Sequence, residues 1–267
     1  MDKTRKPPPF SDFYENYASI TLVLATLAVW ELLARAGWIS VLFFPPPSEI
    51  FLTLFDLIIT GKIFPHLGIT LFRLFMGLLI GGIPGLILGL AMGWSPKIRK
   101  IFDPIVAALH PLPKIAIFPL IMIIFGLGNA SKIAAIAIAA FFPLLINSMA
   151  GVRQINPVYF EVTNNYGASL RKTFTRVIVP GSLPMILTGV RLAINVALLI
   201  TIAVEWVSSK TGLGVLVWFA WQTLRIEELY ASLIVIGLLG FLINLGLQSL
   251  TAHLAPWQKE NLSKSYG

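Results

Sequence analysis

The chain has 267 residues, 57% hydrophobic and only 12% charged, with a formal net charge of +8 and no cysteine. A soluble domain carries about 25% charged residues, so this composition excludes a soluble enzyme, a disordered tail and a fibre. Without cysteine there are no disulfides, thiolate zinc sites or iron–sulfur clusters, and His66, His110 and His253 are too scattered in sequence to suggest a metal centre. The expected class is an all-α, polytopic membrane protein. Its Lys and Arg residues cluster between apolar runs and form no basic face, so the charge points to membrane topology and not to nucleic acid.

A membrane-spanning helix needs about twenty apolar residues, and about six stretches approach that length: 20–36, 67–93, 104–126, 132–152, 183–207 and 231–254. They delimit a transmembrane domain over residues 20–256, with short tails at 1–19 and 257–267. Leu, Ala and Ile run on without alternation, which argues against strands. One side of the spans holds Lys3, Arg5 and Lys6, then Lys97, Arg99 and Lys100, then Arg153, Arg171, Lys172 and Arg176, and finally Lys259 and Lys264. The other side holds Lys62, Lys210 and Arg225, so the first side is expected to be cytoplasmic, with both termini inside. Ala34-Arg35-Ala36 imitates a signal-peptide cleavage site, but Asp12, Glu15 and Glu31 interrupt the pattern and the first span is read as retained.

Glu31 and Arg35, one helical turn apart, are expected to pair. Pro45-Pro46-Pro47 then predicts a rigid turn, with Ser48 capping an interfacial helix that Pro65 ends. In the second span Gly77, Gly81, Gly85, Gly89 and Gly93 recur every fourth residue and predict close helix packing, with a kink at Pro84. In the third span Lys114 follows Pro111 and Pro113, where a broken helix could line a pathway. Arg191 and Glu205 lie too far apart on the fifth span to pair with each other. Charges inside a bilayer cost several kcal/mol unless they face a cavity or a partner. Lys114, Arg191 and Glu205 are therefore candidate pathway residues, and the structural alternative is an interhelical pair for Glu205 and a headgroup contact for Arg191. Asn147, Asn195 and Asn244 read as interhelical hydrogen-bonders.

The loop over 153–180 is too long for a simple turn. Asn156-Pro157 starts a short helix that runs to Tyr166, and Gly167 stops it. Ser169 caps a second helix with Leu170, Phe174 and Val177 on one face and Lys172 and Arg176 on another, and Pro180 closes the unit. Such a pair of helices suits a docking knob for a cytoplasmic partner.

Glu161-Val162-Thr163, three residues, Gly167, nine residues, Val177-Ile178-Val179-Pro180 resembles the EAA loop of ATP-binding-cassette (ABC) importer permeases. Val162 and Thr163 are bulkier than the alanines of that pattern. Phe125-Gly126-Leu127-Gly128-Asn129-Ala130-Ser131-Lys132, Ala203-Val204-Glu205 and Gly212-Leu213-Gly214 are similar to the nitrate/sulfonate/bicarbonate (taurine-type) permeases, over roughly residues 40–256. The resemblance implies a MetI-like permease architecture that translocates a small anion across a bacterial inner membrane. It also implies a second copy of the chain, two ATP-binding subunits docking near Glu161, Val162, Thr163, Gly167 and Pro180, and a periplasmic or lipid-anchored substrate-binding protein. ATP and magnesium would then belong to the ATPase partners, since this chain has no Gly-x-x-x-x-Gly-Lys-Ser/Thr run, and the chain itself would be no enzyme. A vitamin precursor or other heterocycle is the alternative substrate. A secondary transporter or channel is the alternative class.

Overall fold

The computed structural model describes residues 11–255. The predicted tail residues Lys3, Arg5, Lys6, Lys259 and Lys264 lie outside the described residues. Apolar runs punctuated by Gly and Pro become helices throughout, and no strand occurs among the described residues. Two compact units are present: one runs up to Lys62 and includes Val217–Leu233, and the other comprises Ile63–Leu216 and the chain from Ile234 on.

In the first unit α1 (Ser11–Arg35) is 25 residues long, enough at about 1.5 Å per residue to cross a bilayer. Ile20, Leu22, Val23, Leu24 and Leu32 are exposed along it, as suits a helix set in lipid. Near its end Arg35 Nε meets Glu31 Oε1 at 2.5 Å. The same carboxylate accepts hydrogen bonds from the backbone N–H of Ser48, at 3.0 Å, and from its Oγ, at 2.8 Å. Ser48 is therefore not the N-cap: Pro46 occupies that position of α2 (Pro47–Ile59), and Glu31 supplies the acceptor from another helix. Pro65 does not end α2 either. That helix stops at Thr60 and Gly61, whose φ of +73° suits glycine, and Pro65 sits in the first turn of the next helix. Tyr230 packs edge-on against Trp30 and donates from its hydroxyl to the Phe43 carbonyl at 3.2 Å.

The second unit is built on α3 (Ile63–Trp94), α6 (Asn129–Arg153) and α9 (Val179–Ser208). Leu74, Ile136, Ala140, Leu144, Ala193 and Ala197 make a core shared by all three. The glycine stripe of α3 lies directly on α6: a Cβ at Gly81, Gly85 or Gly89 would strike the carbonyl oxygens of Ala137, Phe141 and Leu145. At Gly77 and Gly93 it would strike Ile136 and Val152. Backbone thus rests on backbone, the arrangement by which helices associate where lipid gives no hydrophobic drive. Pro84 and Pro143 both lie within continuous helices.

The third predicted span is not one helix. It divides into α4 (Pro96–Leu109), capped by Ser95, and the short α5 (Phe118–Phe125). Pro111 and Pro113 mark the break, because neither has the N–H that would continue the helical ladder; His110 before the first of them is still helical. Among the described residues four helices are long and apolar enough to cross a membrane, α3, α6, Leu170–Ser208 and α11 (Ile226–Leu254), while α10 (Leu213–Gln222) is apolar but shorter. The helix Leu170–Ser208 corrects a second expectation. Pro180 does not close the loop, since α8 (Leu170–Thr173), a π-helical turn at Phe174–Ile178 and α9 run on as 39 residues. Pro180 falls in the first turn after the π-helical shift in hydrogen-bond register, where a missing N–H costs least. Asn244 Nδ2 donates to Asn195 Oδ1 at 3.0 Å and ties α11 to α9. Asn147 was expected to bridge helices, but it donates to the Pro143 carbonyl of its own helix at 2.8 Å.

Candidate functional site: a coupling loop, a buried clasp and an apolar groove

The structure distributes the predicted residues over three places. The first is the loop. Asn156 Oδ1 accepts from the Val158 N–H at 3.0 Å and starts α7 (Pro157–Asn165). Gly167 turns the chain with φ +63°, and Ser169 Oγ accepts from the Lys172 N–H at 3.4 Å to begin the next helix. None of α7 is buried, and Glu161, Val162 and Gly167 are exposed while Thr163 is half-buried. Val158, Tyr159, Tyr166 and Leu170 also point outward, Tyr166 at 86% exposure, so a short rigid helix presents apolar side chains with nothing over them. Soluble surface helices bury such residues, and an exposed apolar patch of this kind marks an interaction surface.

The second place surrounds Glu205, which is fully buried. Its carboxylate accepts from Arg73 Nη1 at 2.7 Å, Thr70 Oγ1 at 2.9 Å and the Gly214 N–H at 2.9 Å. Arg73 in turn donates to the Thr211 carbonyl at 2.7 Å and, through Nε, to Asn129 Oδ1 at 2.9 Å. The Gly212 N–H donates to His66 Nδ1 at 3.1 Å. Gly212 has φ +137° and a Cβ there would collide with the Glu205 carboxylate, so only glycine lets the turn close over it. Beside this group Lys132, also buried, donates from Nζ to the carbonyls of Leu127 and Gly128 at 2.9 and 3.1 Å. Every charge is paired or hydrogen-bonded, as burial demands. Glu205 thus holds α3, the start of α6 and the turn after α9 together. Sequence reasoning missed Arg73 and Lys132, although an arginine within the apolar run of the second span was the available signal.

The third place is a groove of about 440 Å³ beside the α4–α5 break, with walls from α3, α4 and α6. Lys114 is its only charged residue. Lys114 Nζ donates to the His110 carbonyl and lies 5.1 Å from the centre of the Phe142 ring. Arg191 is half-buried on α9, outside both groove and clasp, so the three candidate pathway residues do not converge.

The described residues thus present close-packed helices of membrane-spanning length with an exposed helix–turn–helix beside them. Residues 77–260 match the family described as "Binding-protein-dependent transport system inner membrane component", and the chain belongs to it. It is thus a multi-pass inner-membrane permease subunit of an ABC importer, which works with ATPase and substrate-binding partners. Among its relatives is the taurine transport system permease protein TauC of Escherichia coli (strain K12), 36% identical over 90% of this chain and 91% of that one. SsuC of Bacillus subtilis (strain 168), named for aliphatic sulfonates transport, is 32% identical over 90% and 87%. The bicarbonate transport system permease protein CmpB of Synechocystis sp. (strain PCC 6803) is 31% identical over 88% of each chain. The fold is that of a solved amino acid ABC transporter, with TM-score 0.57 and 20% identity over 76% of this chain and 97% of that one.

Proposed function

We propose that two copies of this chain form the membrane path for a small anion, with both termini in the cytoplasm. Two ATPase subunits carry the ATP and magnesium and grip the turn around Glu161 and Gly167. A binding protein delivers the anion from outside. Nucleotide-driven closure of the ATPases pulls on α7 and moves the spans between inward- and outward-open forms. The observation that carries this reading is α7 itself: a capped helix outside the spans and the core whose Val158, Tyr159 and Val162 are exposed, next to a turn made by Gly167. The anion is supported by the relatives named for taurine, aliphatic sulfonates and bicarbonate. Lys114 in the groove is the residue proposed to meet it, and Arg191, on α9, is proposed to follow along the path.

The test is co-expression with the ATPase subunit, comparing wild type with Glu161→Lys and Gly167→Arg. Both variants should insert normally but lose the ATPase on purification or hydrolyse ATP without uptake. Uptake by the purified chain with neither ATPase nor nucleotide would instead make it a secondary transporter.

A further inference from the structure

The ion pairs among the described residues are Arg35–Glu31, Lys62–Asp56, Arg73–Glu205 and Arg225–Glu228. None of them includes a cation from the end of the second unit that carries the coupling loop. Gly93 meets Val152 there, so the ends of α3 and α6 lie together. Lys97, Arg99 and Lys100 fill the first turns of α4, and Arg153 ends α6. Lys97, Lys100 and Arg153 are exposed and Arg99 is half-buried. Asp103, one turn beyond Arg99, forms an ion pair with neither Arg99 nor Lys100. Membrane topology asks only that cations gather on one side. It does not ask that they stay without anions.

The apolar residues of α4 are just as uneven. Ile98 and Val106 pack into the core with Met92 and Leu145. Ile101, Ile105 and Leu109, one turn apart, form an exposed row instead, and Lys97 heads the same row four residues earlier. At about 1.5 Å per residue the row from Lys97 to Leu109 is about 18 Å long, close to the ~15 Å of hydrocarbon in one leaflet. A cleft of about 360 Å³ between the ends of α3 and α6 holds Arg153 as its one charge, together with the Trp94 indole. Trp94 rests against Phe174 at 6.0 Å and leads through Ser95 into α4. Tryptophan is enriched where hydrocarbon gives way to headgroups.

We infer that this face binds anionic phospholipids of the leaflet on the coupling-loop side. Their phosphates meet Lys97, Arg99, Lys100 and Arg153, and an acyl chain lies along Ile101, Ile105 and Leu109. Cations at the edge of an exposed apolar helix face suit a membrane surface. A soluble protein partner such as the ATPase would answer the cations and leave the apolar row uncovered. A phosphatidylcholine headgroup brings its own ammonium to the four cations, whereas phosphatidylglycerol brings net negative charge. Each Lys or Arg near an anionic surface strengthens attraction by about fivefold. The inference is independent of the transported anion and of how the ATPase drives transport.

The chain has no cysteine, so Ile101→Cys labelled with bimane places one reporter on the row. The labelled chain is co-purified with its ATPase, and the wild-type complex treated alike supplies the background. Vesicles of phosphatidylcholine carry a small fraction of phosphatidylglycerol or phosphatidylcholine bearing a nitroxide near the top of one acyl chain. Nitroxide phosphatidylglycerol should occupy the face at least about fivefold more strongly, and about 0.5 M NaCl should cut that preference severalfold. Lys97→Gln/Arg99→Gln/Lys100→Gln should bring the two lipids within about twofold of each other, and Arg153→Gln should lower the preference less. Lys97→Arg/Lys100→Arg should leave it unchanged.

Equal quenching by the two lipids overturns the inference, because the row then meets bulk lipid alone. Quenching by neither overturns it as well, since a second copy of the chain or another protein then covers Ile101. A preference that survives both the triple substitution and Arg153→Gln assigns it to other cations and has the same force. Should the triple variant fail to insert, the lipid comparison without it and Arg153→Gln decide. Retention of the ATPase, read on the same columns, reports on the coupling loop separately.

Discussion

The clasp around Glu205 and the turn around Gly167 both rest on a charged residue and a glycine, yet they are opposites. In the clasp Glu205 and Arg73 are sealed from solvent and each polar group has a partner supplied by another segment. In the turn nothing is buried, and a side chain added at Gly167 would meet open space. Glycine at 212 is needed because there is no room, and glycine at 167 because the chain must reverse with φ +63°. A charge within a span is therefore no guide to function by itself. In this protein a fully buried carboxylate ties helices together, and the turn at Gly167 is the surface proposed to meet the ATPase.

The comparison can be broken in four places. The largest effect should come from Arg73→Ala, which strands a buried carboxylate: about 3–5 kcal/mol lost, read as thermal unfolding in detergent, with Arg73→Met/Glu205→Met together recovering much of it. An Arg73→Ala variant as stable as wild type would refute the clasp. Gly81→Leu comes next, because its side chain must displace the Ala137 carbonyl; overpacking of this kind costs about 1–3 kcal/mol. Gly237→Ala, where nothing lies near, is the control and should be neutral or slightly stabilising by the same assay. Arg35→Ala removes an exposed partner from Glu31 and should leave the melting temperature nearly unchanged, since Ser48 still holds the carboxylate; a clear drop would mean the Arg35–Glu31 pair, not Ser48, organises the turn. Val162→Asp should change stability least, within about 0.5 kcal/mol, yet abolish retention of the ATPase on an affinity column. If Val162→Asp retains the ATPase, the apolar face of α7 is not the contact.

Local signals made the loop legible. Asn156, Pro157, Gly167 and Ser169 act within a few residues of themselves, so their caps and turn could be placed from sequence, as could the glycine stripe and the proline break before Lys114. What could not be placed was pairing at long range. Arg73 and Glu205 stand 132 residues apart in the chain, and no period or cap links them. Glu205 therefore reads as a pathway candidate with an interhelical pair as the alternative, and in the structure it pairs with Arg73. Pro180 misled for a different reason: a π-helical turn just before it absorbs the missing hydrogen bond, and nothing in the composition of Phe174–Ile178 announces that turn.

The glycine contact between α3 and α6 has a mechanical consequence. With carbonyls of one helix seated on bare backbone of the other, these two spans have almost no freedom to slide, so they must travel as a single stiff lever. α7 begins three residues beyond the end of α6, across Gln154, Ile155 and Asn156. Under the proposed coupling, a push at α7 would carry α6 and α3 together. Beside that lever the chain is interrupted between α4 and α5, at Pro111 and Pro113 next to Lys114.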